Sequence, residues 1–220
     1  MPVPIRMTKI HHACLTIDDG STRLLLDPGQ LGPRPSLDAV TAVLITHRHV
    51  DHLDPDLVAE ALRRGIPVWA PGDALGDIGV PDGIEDGGPH EAVLGAALRI
   101  GSLSVQVAGE RHAELHPTLP GPENRAYLID ERVLVTGDEH PVPPSRPTTL
   151  VTPIDAPWLR ATDLIRYVRD VHPELVVGVH DGLLNADGLS VARHVIDSLR
   201  DEGATRATML SDGESIDIPG

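Results

Sequence analysis

The sequence predicts an α/β protein, and three observations carry that reading. Strand-length apolar runs closed by turn residues dominate both halves of the chain, and helix-start and helix-stop signals are interleaved with them. Side chains able to ligate a metal gather where strands end, in both halves. At 220 residues the chain can bury a sizeable core, and neither an internal repeat nor a domain-splitting linker interrupts it, so one domain spanning 1–220 is expected.

The elements follow in order. Lys9 to Ile17 alternates as a strand, Asp18-Asp19-Gly20 is its turn, and Thr22 to Leu26 returns before Asp27-Pro28-Gly29 stops it. Gln30 to Ser36 is loop. Asp38 to Thr46 is the next strand, with Ala42-Val43-Leu44-Ile45 apolar on both faces as in a buried sheet. Asp54-Pro55-Asp56 starts a helix that Arg63-Arg64-Gly65 ends, with basic residues and Gly at its C-terminus. Ile66 to Ala70 is a strand, Pro71-Gly72-Asp73 opens a short helix, and 76–89 carries too much Gly, Pro and Asp to assign. Two strands surround Gly101-Ser102 within 97–109. A loop from His116 to Asn124 leads to a hairpin, Arg125 to Ile129 and Arg132 to Thr136. Thr149 to Ile154 and Glu174 to Val179 are strands around a helix at Thr162 to Val171; a last helix, Ser190 to Leu199, precedes a strand at Thr205 to Leu210.

Composition narrows the function. The chain has no Phe, two Trp and two Tyr, which leaves no stacking platform for single-stranded nucleic acid. A formal charge of −15 repels polyphosphate, so a small-molecule substrate is expected rather than nucleic acid. No run approaches the length of a membrane span, the first seven residues contain two prolines and no apolar core of a signal peptide, and Cys14 stands alone, so a cytoplasmic protein away from membranes is expected. Nothing in the sequence reports an oligomeric state.

The chemistry concentrates in Thr46-His47-Arg48-His49-Val50-Asp51-His52, directly after Val43-Leu44-Ile45. Three imidazoles and a carboxylate this close repel when protonated, and a divalent cation resolves the conflict. Further strand ends supply His112, Asp138 and His180. Together these seven groups would serve two adjacent metals, three to each with one carboxylate bridging, and a bridging hydroxide would make the expected chemistry hydrolysis without a Ser or Cys nucleophile. His and carboxylate donors suit zinc, with manganese and iron as alternatives. His116 competes with His112 as the ligand from this region; His112 is favoured because it immediately follows the strand.

The His-x-His-x-Asp-His loop at His47 to His52 resembles the metallo-β-lactamase superfamily. His11-His12-Ala13, Leu26-Asp27-Pro28, Thr136-Gly137-Asp138, the run Pro153 to Trp158, and Val179-His180 resemble the branch containing ascorbate-phosphate lactonase and N-acyl-phosphatidylethanolamine phospholipase D. The resemblance implies an αββα sandwich with its site at one edge. It also implies that His47, His49 and His112 hold one metal, that Asp51, His52 and His180 hold the second, that Asp138 bridges them, and that Asp51 takes a proton during turnover. The expected function is a dinuclear metal-dependent hydrolase of a small, anionic ester, lactone or phosphodiester. A metal-stabilised binding or sensory module, a nuclease or lipid phosphodiesterase of the same fold, and a di-iron redox protein are the alternatives. Arg48 could anchor an anionic group. His12 is expected behind the metals or in the core, Asp27 as a structural residue fixing loops, Trp158 as packing, and His140 as a solvated loop residue.

Overall fold

The computed structural model describes residues 3–80 and 88–218. The first half lays down β1 (Ile5–His11), β2 (Cys14–Asp18), β3 (Arg23–Leu26), β4 (Ala42–Leu44), α1 (Pro55–Arg63), β5 (Val68–Ala70) and β6 (His90–Glu91). The second continues with β7 (Ala97–Ile100), β8 (Leu103–Ala108), β9 (Ala126–Ile129), β10 (Val133–Val135), β11 (Thr149–Pro153), α2 (Ala161–Val171), β12 (Leu175–Val179), α3 (Ala186–Ser198), β13 (Arg206–Met209) and β14 (Ser215–Ile218). Among the described residues these form two seven-stranded sheets, in the orders β14-β1-β2-β3-β4-β5-β6 and β13-β12-β11-β10-β9-β8-β7. Both are mixed, with antiparallel hairpins giving way to parallel pairs such as β3–β4 and β11–β12.

Period-two alternation builds the layers. In β3, Leu24 and Leu26 turn into the space between the sheets, where they meet Val105, Tyr127, Val135 and Val177. Leu25 turns the other way, onto Leu57, Val58 and Ala61 of α1. On the second sheet Leu128, Leu134, Leu150 and Val176 point outward to Leu164 and Val168 of α2 and Ile196 of α3. Helix, sheet, sheet and helix are thereby stacked, the αββα sandwich expected from the sequence. With no Phe to fill it, the inter-sheet core uses aliphatic side chains around Tyr127, whose hydroxyl donates to the carbonyl of Ile45 at 2.7 Å and ties the sheets together one residue before the His-rich loop.

Three elements differ from the sequence reading. The strand expected over 9–17 is a hairpin, β1 and β2, broken at His12, whose backbone takes φ +53°. The apolar alternation runs on through His11-His12-Ala13 and hides that turn. The strand β14 pairs with β1 at the sheet edge and was not expected; four residues with two polar ones carry too little periodicity to stand out. The last helix begins at Ala186, capped by the Asn185 side chain on the Gly188 N–H, although Gly188 weakens the helical pattern there. Of the unassigned stretch 76–89, residues 81–87 lie outside the described residues.

Candidate metal centre

The expected donors meet along one edge of the sandwich, at strand ends of both sheets. After β4, the chain runs through Ile45 and Thr46, and the Arg125 N–H donates to the Thr46 carbonyl at 2.8 Å, joining the loop to β9. Asp27 then fixes the loop's start: its carboxylate accepts from the Thr46 N–H and hydroxyl, both at 2.7 Å, and from His52 Nδ1 at 2.8 Å. Gly29 is required beneath the loop, since a Cβ there would lie 1.9 Å from the Asp51 carbonyl oxygen. Asp54 caps α1 by accepting from the Asp56 and Leu57 N–H groups, and its own N–H donates to the Pro28 carbonyl, closing the loop's far end.

Each ligand imidazole but that of His49 is pinned on its outer nitrogen, so that the other faces inward. The Thr46 hydroxyl gives its proton to Asp27, leaving a lone pair for His47 Nδ1–H at 3.1 Å. His52 Nδ1 is held by Asp27, His112 Nδ1 donates to the Ala113 carbonyl at 2.6 Å, and His180 Nδ1 donates to the Asp155 carbonyl at 2.6 Å. The Nε2 atoms that remain converge on Asp138: His52 lies 3.4 Å from Oδ1, while His112 and His180 lie 3.4 and 3.3 Å from Oδ2. His47 Nε2 and His49 Nδ1 face each other at 3.0 Å, and His180 Nε2 lies 3.2 Å from Asp51 Oδ2.

A divalent cation fits this donor set. His52 Nε2, His180 Nε2 and Asp138 Oδ1 are buried without a hydrogen-bond partner among the described residues, and unpaired buried polar atoms are costly. His47, His49 and His112 form one group of potential ligand atoms within 4.8 Å of one another; Asp51, His52, His180 and His12 form a second, and His47, His52 and Asp138 overlap both. Burial drives His47 well below the usual imidazole range, with His52 adding to it, which keeps its lone pair available. For Asp138, burial acts to raise the carboxyl, but His52 and His112 outweigh it and hold the group ionised. Asp51 behaves alike, held low by His12 and His180 against its burial.

His116 is outside this cluster, exposed on its loop with Nδ1 on the Thr118 hydroxyl at 3.0 Å, whereas His112 is 5% exposed. His12 is in the cluster by distance, with Nε2 3.2 Å from Asp51 Oδ2, but its Nδ1 accepts from the Gly182 N–H at 3.0 Å. The proton therefore sits on Nε2 and is given to Asp51, so His12 orients a ligand instead of being one. Arg48 is paired with Asp77 at 2.7 Å. His140 is not solvated: its ring stacks on Tyr167 at 4.5 Å, and burial lowers it to about 4.

Two residues without a site role in the sequence reading support Asp138. Trp158 donates its indole N–H to Asp138 Oδ2 at 3.1 Å, beyond simple packing. Asn124, fully buried, accepts from the Asp138 N–H at 3.0 Å and donates to the Thr136 carbonyl at 2.9 Å. Gly137 makes room for it, because a Cβ at its φ of +61° would lie 2.3 Å from Asn124 Oδ1. The run Thr136-Gly137-Asp138 signalled the ligand but not its partners, which come from other strand ends. A cavity of about 650 Å³ opens beside His49 and Asp51, walled by Arg48, Val50, Asp73, Pro120 and Pro122. The larger groove of about 890 Å³ lies on the outer face of the first sheet among Arg6, Asp18, Arg23 and Asp217, and holds none of these donors.

Comparison with known proteins agrees with this architecture. The sequence profile described as Beta-lactamase superfamily domain matches residues 6–180. Protein Rv0786c of Mycobacterium tuberculosis is 30% identical over 196 residues, covering 85% of this chain and 89% of that protein. Among solved structures, Igni18, a metallo hydrolase from Ignicoccus hospitalis, superposes with a TM-score of 0.70 at 16% identity, over 99% of both chains. The metallo-beta-lactamase fold protein YhfI of Bacillus subtilis superposes with a TM-score of 0.72 at 13% identity, over 98% of this chain and 100% of that one. With the matched profile covering most of its length and the αββα sandwich carrying a His/Asp cluster at the sheet edge, the chain belongs to the beta-lactamase superfamily and has the fold of its metal-dependent hydrolases.

Proposed function

We propose that the protein is a dinuclear metal-dependent hydrolase of a small ester, lactone or phosphodiester. His47, His49 and His112 would hold one cation, Asp51, His52 and His180 the other, with Asp138 between them. The observation that carries this reading is the convergence of His52, His112 and His180 Nε2 on Asp138, with His52 Nε2, His180 Nε2 and Asp138 Oδ1 buried and unpartnered among the described residues and each of the five histidines but His49 pinned from behind. Two divalent cations, zinc by the donor set with manganese or iron as substitutes, would supply an ionised water near neutral pH and polarise the bond under attack.

The chain's own groups do the rest. Asp27 and Thr46 orient the rings of His52 and His47 so that Nε2 of each faces the site; Asp27 and Asp138 hold the His52 imidazole well above its usual range against its burial, so a cation would take the place of the proton there. Trp158 and Asn124 hold Asp138 in place. Asp51 lines the cavity with Oδ2 already accepting from His12, and it is the carboxylate positioned to take the proton that hydrolysis releases. The cavity suits a small molecule. Arg48 is engaged by Asp77, so an anionic substrate would have to displace that pairing to use it. No helix among the described residues is long and apolar enough to cross a membrane.

The test is turnover of bis(p-nitrophenyl) phosphate, p-nitrophenyl acetate and a simple lactone with and without a chelator. Chelator-sensitive hydrolysis of one of them, restored by zinc or manganese, is expected. Stoichiometric metal with no turnover of any ester class would favour a metal-stabilised binding module.

A further inference from the structure

We infer that Lys9 is a positioning residue for the second cation site, acting through a buried ion pair with Asp181 that locks the turn carrying His180; the inference rests on the dinuclear reading. Lys9 is the only lysine of the chain, every other basic side chain being arginine, and it is 2% exposed. Lysine is almost never buried unless paired, and here the pairing is complete. Nζ lies 2.5 and 2.6 Å from the two carboxylate oxygens of Asp181 and 3.1 Å from the Leu210 carbonyl, which occupies all three donors of the ammonium. With its donors consumed, Lys9 is not a substrate-binding cation. Asp212, 3.7 Å away, is itself engaged by His11 Nδ1 at 2.6 Å.

Asp181 follows His180 directly, and His180 takes φ +68°, a left-handed conformation that a non-glycine residue adopts only when held there. The turn is held on two sides. Toward the site, the His180 N–H donates to the His12 carbonyl at 3.1 Å, and the Gly182 N–H donates to His12 Nδ1 at 3.0 Å. A Cβ on Gly182 would lie 2.8 Å from His11 Nε2 and 3.0 Å from His12 Cβ, so the turn packs directly on the β1–β2 corner. From behind, Lys9 grips Asp181, the residue between these two N–H groups.

The consequence reaches two ligands. The turn aims His180 Nε2, and through Gly182 it sets the tautomer of His12, whose Nε2–H holds Asp51 at 3.2 Å. Both belong to the group expected around the second cation, and neither belongs to the His47, His49 and His112 group. A loosened turn should therefore weaken one site and spare the other.

The first measurement uses the metal-free protein, so that it does not depend on the proposed activity. Hydrogen exchange of the Gly182 amide should quicken at least about tenfold in Lys9→Met, while amides within β12 such as Val177 keep wild-type protection. Metal titration against a competing chelator should then show the second cation weakened about 10- to 100-fold and the first unchanged, with Lys9→Arg recovering most of the loss because it keeps the charge. If Lys9→Met does not fold, Asp181→Asn, which keeps the shape and removes the charge, should give the same selective pattern. Unchanged Gly182 exchange in the folded variant, or equal weakening of both cations, would overturn the inference. A wild-type chain that binds fewer than two cations would instead contradict the dinuclear reading, and the exchange result would still decide whether Lys9 holds the turn.

Discussion

Asp138 carries more of the site than any other side chain, because its place is fixed before a cation binds. Asn124 holds its N–H, Trp158 donates to Oδ2, and Oδ1 is left buried and unpartnered toward His52. Trp158→Phe keeps the ring's bulk and removes one donor, so metal affinity should fall about tenfold. Global stability should change by less than about 1.5 kcal/mol. Comparing metal titration with urea unfolding separates the two effects, and a stability loss without an affinity loss would reduce Trp158 to packing. At this scale the ligand candidates are legible in the sequence. His47, His49, Asp51 and His52 stand out because they crowd one loop after an apolar strand, and His112 and His180 because they end strands. Asn124, Trp158 and the proton placement on His12 were hidden, since they depend on contacts between strand ends far apart in the chain. The sequence marks Asp27 as structural, and its bond to His52 shows how that structural role serves the site.

At the scale of elements, the turns decide where the site residues go. The β2–β3 turn is organised by Asp19, which accepts from the Ser21 and Thr22 N–H groups at 3.0 and 2.8 Å and from the Ser102 hydroxyl of the facing β7–β8 turn. Burial pushes the Asp19 carboxyl up, but the donors of Ser102, Ser21 and Thr22 outweigh it and hold it down to about 2, below its ordinary 3.8. A carboxyl depressed on folding contributes stability above its unfolded value and loses it as the pH falls through the folded one. Wild type should therefore exceed Asp19→Asn by about 1 kcal/mol at pH 6, a figure reduced for partial solvent screening, and the gap should close between pH 4 and pH 2. Urea midpoints across that range test it, and a gap independent of pH would assign the effect to shape alone. Most strands were legible, since apolar runs bounded by Gly, Pro and Asp mark them. The β1–β2 corner was not, because His12 adopts its left-handed backbone inside an unbroken apolar alternation, and what stabilises it is the distant turn at His180 and Gly182.

For the whole molecule, the sandwich brings the site's residues from both halves to one edge: the His47 to His52 loop, with Asp27 behind it, from the first sheet, and His112, Asp138 and His180 from the second. A cation held by these residues would join the two sheets, so metal should stabilise the fold as well as the chemistry. By mass action a ligand at a thousand times its Kd adds about 4 kcal/mol. Chelation should accordingly lower Tm by several degrees, reversibly on adding zinc, and an unchanged Tm would mean that the edge closes without metal. The αββα layering was legible through the family resemblance of the loop, while periodicity alone gave only strands and helices; which face of each strand meets the other sheet depends on packing that a single sequence does not display.

Two cations sharing Asp138 are the centre of the proposed site, and elemental analysis of the purified chain after zinc reconstitution, beside Asp138→Ala and His116→Ala, tests that sharing most directly. About two metals per chain are expected for wild type and for His116→Ala, with one or none for Asp138→Ala and hydrolysis lost with them. A single metal in wild type, or two retained without Asp138, would contradict the shared site.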